Sequence, residues 1–206
     1  MAYEFNGTNQ WLALDTAVVT NVPMTFAAWI YLDATTLETV LSIEPNGTKA
    51  GYDLIVVSNK LWAITQDGSN VQAQGATDIG TGAWVHVAGV WYGIASRKVF
   101  RNGVEDGSNT DSKTVGTTVN RTTIGQRANG LDDQDLDGRI AEAAVWDAAL
   151  SDDEIVSLAK GFNPTRVRPQ NLQLPVRMIR NLQDLRAART ITNTGTATVT
   201  DHPRVY

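Results

Sequence analysis

Residues 84–93, WVHVAGVWYG, are followed by RKVFRNGVEDGS at 97–108 and DGRIAEAAVWDAALSDDEIVSLAKG at 137–161. The succession reads as strand, hairpin, strand and short helix. In the first piece Trp84, His86, Ala88 and Val90 alternate with Val85, Val87, Gly89 and Trp91. Side chains alternate across a strand, so neither face is polar enough for water, and the segment is a central strand covered on both sides. In the second piece Val99 and Phe100 lead into Asn102-Gly103, a dipeptide that accepts the positive φ angles of a tight hairpin turn. In the third, 140–146 is another apolar strand. Ser151 with Glu154 three residues on forms a capping box for a helix ending near Gly161.

Working outward, short alternating runs bounded by glycine, asparagine and proline predict strands near 2–6, 9–14, 24–32, 39–44, 52–58, 60–66, 70–74, 84–92, 97–101, 120–126 and 139–147, with one helix near 151–160. Pro23 and Pro45 fall between strands, where a missing N–H costs nothing. The combination of FNGTNQWLAL (5–14), MTFAAWIYLD (24–33), WVHVAGVWYG, VFRNGVEDG and DGRIAEAAVWDAALSDDEIVSLAKG resembles the laminin-G-like, concanavalin A-like superfamily over residues 1–161. The resemblance implies an all-β fold, a two-sheet antiparallel jelly-roll sandwich with one short helix. It implies no single activity, because lectins, pentraxins, adhesion modules and glycanases share that scaffold.

The 206 residues suit one such domain, which at this size buries roughly 70% of the surface of its unfolded chain. The sequence has no cysteine, which excludes disulfides, thiolate metal sites and cysteine nucleophiles. MAYEF at the start carries neither a basic nor an apolar signal region, and no apolar run approaches the ~20 residues of a membrane span. A chain without a Sec-type export signal or membrane insertion is the expectation.

Charge divides the chain. Residues 1–160 hold 10 Lys/Arg against 20 Asp/Glu, net -10, whereas residues 161–206 hold seven Arg against Asp184 and Asp201, net +5. The arginines lack interleaved aromatics and the acidic body would repel phosphate, so nucleic acid is not the expected partner. Pairing with the acidic body, or a protein interface anchored by Arg166, Arg168, Arg177 and Arg180, fits better. NLQLPVRMI (171–179) and RTITNTGTATVT (189–200) read as two further strands, so residues 1–206 are taken as one domain whose basic segment 162–206 returns to the sheets. Related domains place similar material ahead of the FNGT element, so its position at the end amounts to a circular permutation.

Asp132, Asp133, Asp135 and Asp137, ahead of Gly138, are hard oxygen ligands in a loop between strands, and calcium is the cofactor they suggest. The spacing opens like an EF-hand loop, but twelve residues along stands Ala144 instead of a bidentate glutamate, so it is not one. Calcium sites on sandwich loops of laminin-G-like and pentraxin-like relatives favour the reading; a solvated acidic turn is the alternative. Catalysis finds little support. Glycanases of this resemblance carry E-x-D-x-x-E on one strand, which this sequence lacks, and Glu142 has only Ala143 and Ala144 beside it. His86 reads as a packed core histidine, and His202 lies away from any nucleophile motif. Trp29, Trp84, Trp91 and Trp146 sit in strongly apolar strands and are expected in the core. Trp11 and Trp62 alternate with polar neighbours and, with Asn129 and Gln134, are the candidates for a ligand or interface surface.

NRTTIGQRANG (120–130), LAKGFNPTRVRPQ (158–170) and the ending DHPRVY resemble laminin-G-like proteins of tailed bacteriophages. The resulting expectation is a non-catalytic virion surface protein, a capsid decoration, spike or tail adhesin. It would be made in the host cytoplasm, form a homo-oligomer, and contact other virion proteins and possible cell-surface polysaccharide. A free carbohydrate-binding lectin module is the alternative, and a glycoside hydrolase a distant third.

Overall fold

The structure, a computed structural model, describes residues 2–131, 134–176 and 189–201. The first half contributes β1 (Ala2–Asn6), β2 (Trp11–Leu14), β3 (Met24–Leu32), β4 (Leu37–Glu44), β5 (Ala50–Val57), β6 (Lys60–Asp67) and β7 (Ser69–Asp78). There follow β8 (Trp84–Gly93), β9 (Ser96–Arg101), β10 (Val104–Asn109), β11 (Arg121–Ile124), β12 (Asp137–Trp146) and helix α1 (Asp152–Ala159). A single 3-10 turn (Pro164–Arg166) leads to β13 (Leu172–Pro175), β14 (Thr192–Thr194) and β15 (Thr198–Thr200).

Two antiparallel sheets face each other. One runs β10-β9-β8-β3-β12-β1-β15, with β13 also on β12; the other runs β14-β2-β11-β4-β5-β6-β7. Their inner faces meet in one apolar core in which Phe26, Ile30, Leu54, Val56, Val87, Trp91 and Val145 are buried. Trp91 spans this layer: its indole N–H donates to Thr65 Oγ1 of the facing sheet at 3.0 Å, and Phe26 packs 4.8 Å from it. A second cluster lies on the outer face of the eight-stranded sheet, where Ile155 and Leu158 of α1 cover Ala88, Val90, Phe100 and Trp146. The strand 84–93 is thus covered on both faces, as its sequence requires.

The local signals act as expected. Asn102 and Gly103 adopt φ of 50° and 84°, the two positive values a tight hairpin needs. Ser151 accepts from the Glu154 backbone N–H while the Glu154 carboxylate accepts from Ser151 N, completing the capping box. Two points differ from the sequence reading. The hairpin's return strand β10, VEDGSN, was not among the expected strands because it is a polar edge strand with no apolar alternation. Trp29 and Trp84 are half-buried on the outer face of the eight-stranded sheet, where Trp84 meets Tyr31 and Trp29 meets His86 edge-on, whereas Trp91 and Trp146 are fully buried. Both faces of a doubly covered strand are apolar, so sequence does not tell which one meets the rim.

The segment 189–200 is two short strands, one in each sheet. β14 pairs with β2 and β15 with β1, and the chain crosses between the sheets at Gly195 and Thr196, both at positive φ. A Cβ at Gly195 would lie 2.0 Å from the carbonyl oxygen of Asn9, so only glycine lets this crossing lie against the β1–β2 link. β13 pairs with the second half of β12, end to end with β1 on the first half. A chain ending at Gly161 therefore opens one edge of β1, of β2 and of the second half of β12, each of which keeps its other neighbour. Its thermal unfolding, followed by near-ultraviolet circular dichroism, is expected to lose the cooperative transition of the full chain.

Candidate functional site

The outer face of the seven-stranded sheet collects the polar side chains. Leu12 and Leu14 of β2, Leu54 and Val56 of β5, and Leu61 and Ala63 of β6 point into the core, so Trp11, Ile55 and Trp62 point outward. Register places them in one cross-strand row: Thr39 is opposite Ile55, Ile55 opposite Trp62, and Trp62 opposite Gln74, while Trp11 lies one step beyond the Leu12–Ile124–Leu41 alignment. The two tryptophans are four strands apart, about 19 Å at ~4.8 Å per strand. Both rings are half-buried and Gln74 is exposed. The indole N–H groups of Trp11 and Trp62 and the hydroxyl of Thr39 are buried without a hydrogen-bond partner among the described residues. An unmade buried hydrogen bond costs about 1–3 kcal/mol, which marks this row as polar capacity unused by the fold.

Two to four residues further along the strands, the same face carries a buried ionic cluster. Arg127 Nη2 donates to Glu44 Oε1 and to Asp53 Oδ2, each at 2.7 Å. Both carboxylates are 0% exposed and Arg127 is 5% exposed. Gln66 Nε2 also donates to Glu44 Oε1, and the Asn129 backbone N–H donates to Oε2 at 3.3 Å. Ala128 N donates to Ser42 Oγ at 2.9 Å, so residues 126–130 are fastened across the sheet. Burial, then the neighbouring Asp53 carboxylate, push Glu44 up to about 8, against the opposing pull of the Arg127 guanidinium. Each of these three residues is a lone charge in its own segment, which is why sequence reading passed over them; the signal was a carboxylate at an alternating position inside the apolar runs TVLSIE and GYDLIVV.

The candidates named from sequence scatter around this face. Asn129 is fully buried and braces the loop: its side-chain oxygen accepts from Leu131 N and its carbonyl from Gly47 N. Gln134 is half-buried, and its side-chain oxygen has no hydrogen-bond partner among the described residues. Asp132 and Asp133 lie outside the described residues. Asp135 is buried, and the Asp137 backbone N–H donates to Glu38 Oε2 at 2.7 Å. Among the described residues no group of three or more His, Cys, Asp or Glu is placed to hold a metal, so the described part supplies two of the four acidic residues and no assembled donor set. Arg166 is exposed in the 3-10 turn. Arg168 pairs with Glu154 and donates to the Ala149 carbonyl, which ties the basic segment to α1. Arg177 and Arg180 lie outside the described residues.

On the opposite sheet His86 is buried beside Trp29, and burial depresses its pKa to about 3. Glu142 sits in a β-bulge of β12 at φ 49° and lines a small hollow with His86, Trp29, Phe162 and Leu158. The expected core histidine is found; the bulge at Glu142 was not foreseen, because Ala143 and Ala144 continue the strand pattern through it. Sequence reading also missed a polar cleft of about 300 Å³ lined by Asp15, Asn46, Asn120 and Arg121, side chains from three strand ends.

The fold agrees with comparison to known proteins. The profile of the concanavalin A-like lectin/glucanases superfamily matches residues 6–156, and the chain belongs to that superfamily. No curated protein matches it. Among solved structures it is similar to a putative carbohydrate-binding protein of Bacteroides ovatus, with TM-score 0.70 and 16% identity over 99% of this chain and 61% of the other, less than two thirds of that protein. It is similar to the heptameric SAP-like pentraxin of Limulus polyphemus, with TM-score 0.62 and 21% identity over 77% of this chain and 81% of the other. A sialidase CBM40 of Ruminococcus gnavus bound to α2,3-sialyllactose matches with TM-score 0.63 and 15% identity over 77% of this chain and 98% of the other. No helix among the described residues is long and apolar enough to cross a membrane.

The two groups shifted furthest, Glu44 and His86, give the stability a pH profile. Folded Glu44 keeps a proton up to about 8 that the unfolded chain releases near 4.5, so its contribution falls as pH rises through that window. Folded His86 stays neutral where unfolded histidine protonates below 6.5, so its contribution is lost as pH falls from 6.5 toward about 3. The two oppose each other below pH 6.5, and above it Glu44 acts alone of the pair. The melting temperature is expected to decline between pH 6.5 and about 8, and Glu44→Gln to flatten that decline.

Proposed function

We propose that this chain is a non-catalytic, glycan-binding domain displayed on a particle surface. The observation that carries the binding half is the half-exposed Trp62 ring on the outer face of the seven-stranded sheet, with exposed Gln74 beside it. A flat indole covers the C–H face of a sugar ring while an adjacent carboxamide exchanges hydrogen bonds with its hydroxyls. Membership of a lectin superfamily and likeness to carbohydrate-binding modules support the reading. Glycosidic cleavage needs two carboxylates open to one sugar ring, and the Glu44–Asp53 pair is instead sealed beneath Arg127. On a glycan array Trp62→Ala is expected to lower binding about tenfold or more, the loss of ~1.4 kcal/mol or more of ring contact. The full chain should release no reducing sugar from any glycan it binds. Calcium held by the loop of Asp132, Asp133, Asp135 and Asp137 belongs to the same proposal, and running the array with calcium and with chelator tests it: equal binding and equal melting curves would remove the ion.

The location is a virion, supported by the phage-like sequence phrases, the absence of cysteine and the opposite charges of body and basic segment. The domain is taken as a homo-oligomer, as the pentraxin it resembles is heptameric. Arg166 is exposed and suited to directional pairing with carboxylates of a neighbouring virion protein, while Arg168 serves the fold through Glu154. Mass spectrometry of purified particles is expected to find the chain at a fixed stoichiometry, and Arg166→Ala to reduce occupancy while the isolated domain melts unchanged. Absence from particles would remove this location and leave glycan binding standing.

A further inference from the structure

The cleft of about 300 Å³ at the end of the seven-stranded sheet lies where β2 and β4 finish and β11 begins. Arg121 is opposite Glu44, whereas Trp62 is opposite Ile55, so the cleft is displaced by four residues, about 13 Å at ~3.3 Å per residue, along the strands from the tryptophan row. We propose that this cleft is a second binding subsite, for a neutral sugar residue, backed by the loop of residues 126–130, which packs against Asn46 and Arg121. The proposal rests on the glycan-binding reading above and gives it a second place on the domain.

All four lining residues are polar, and their hydrogen-bonding capacity is largely unspent. Asn120 Oδ1 accepts from Asn46 N at 3.1 Å, which leaves the Asn120 amide hydrogens for a ligand. Arg121 uses Nη1 on the Ala128 carbonyl at 3.2 Å and has other N–H groups to offer. Asp15 makes no hydrogen bond or ion pair among the described residues. Hydroxyl groups both donate and accept, and a pair of neighbouring hydroxyls is what an acceptor-only carboxylate, a donor-only guanidinium and carboxamides can serve together. The charges select a neutral ligand. Asp15 and Arg121 offset each other within the lining, so either sign of ligand charge meets one repelling group there, and a neutral ligand meets none.

The wall is built before any ligand arrives. Gly130, at φ +66°, brings the loop so close that a Cβ there would lie 3.2 Å from Asn46 Oδ1 and 3.6 Å from Arg121 Nη1. The same loop is held by Arg127 on Glu44 and Asp53, by Ala128 N on Ser42, and by the Asn129 carbonyl accepting from Gly47 N at 2.7 Å. Asn46 and Arg121 are therefore positioned from below by a buried ionic cluster, and binding orders little. That ties a cluster of otherwise costly buried charges to the geometry of one surface cleft.

The test is an array of neutral and sialylated oligosaccharides probed with the full chain and with Asp15→Asn, Asn120→Ala and Trp62→Ala. The expected result is that each cleft variant weakens binding of a neutral glycan about tenfold or more, with its melting temperature unchanged. Asp15→Asn keeps the side-chain shape, so it reads the cleft even if Asn120→Ala disturbs the Asn46 contact. Neutral glycans bound with undiminished affinity by both cleft variants, but lost in Trp62→Ala, would overturn the cleft and leave the tryptophan face standing. Stronger binding of sialylated than neutral glycans through Asp15 and Asn120 would overturn the ligand class. Binding to no glycan would overturn both the cleft and the function on which it rests.

Discussion

Everything in this domain hangs on the separation of two curved sheets, and Trp91 holds it. Its ring fills the layer between them, against Phe26 on its own sheet, and its one polar atom is satisfied by Thr65 across the gap. A buried indole without that acceptor would carry an unmade hydrogen bond, so the Trp91–Thr65 pair couples sheet spacing to polar satisfaction. The second tryptophan anchor repeats the logic outside the sandwich: Trp146 Nε1 donates to the Val167 carbonyl at 2.9 Å and so fixes the strap that follows α1. With both layers filled, apolar residues are consumed by packing and the outer face of the seven-stranded sheet is left to polar chemistry.

That face shows why a fold tolerates buried charge. Removing one partner of a buried ion pair costs about 3–5 kcal/mol, while an apolar replacement of the whole group is often neutral or better, so such clusters are poor devices for stability alone. Here the guanidinium reaches down from a loop and the carboxylates rise from two neighbouring strands. The loop consequently has one registered position over the sheet. An apolar contact between the same elements would permit sliding; two charge-assisted hydrogen bonds from one nitrogen do not.

The sandwich was readable where local rules and the global pattern coincide. Doubly apolar alternation at 84–93, Asn102-Gly103 and the Ser151–Glu154 box each have a local physical cause, and all were found in place. Polar edges were less readable. VEDGSN forms β10 through pairing with β9 alone, and the threonine alternation of 189–200 runs unbroken through the point where Gly195 turns the chain from one sheet to the other. The functional face was the least readable part. Trp11 and Trp62 could be singled out by their polar neighbours, but the row they share exists only through the register of five strands. Asp15, Asn46 and the Asn120–Arg121 pair come from three strand ends, and no spacing in the sequence announces their meeting.

The crossing of 192–200 has a consequence for how the protein comes into being. Gln10 Nε2 donates to the Gly195 carbonyl across a sequence separation of 185 residues, and the strands on either side pair with the first two strands of the chain. During synthesis β1 and β2 leave the ribosome long before their edge partners exist, and the sandwich closes only once residues 192–200 have been made. Contacts of such long range slow folding, and an open strand edge accepts an identical edge from another nascent chain. At high expression the same nine residues that seal the monomer are thus the natural element for two chains to exchange, with each copy lending its ending to the other.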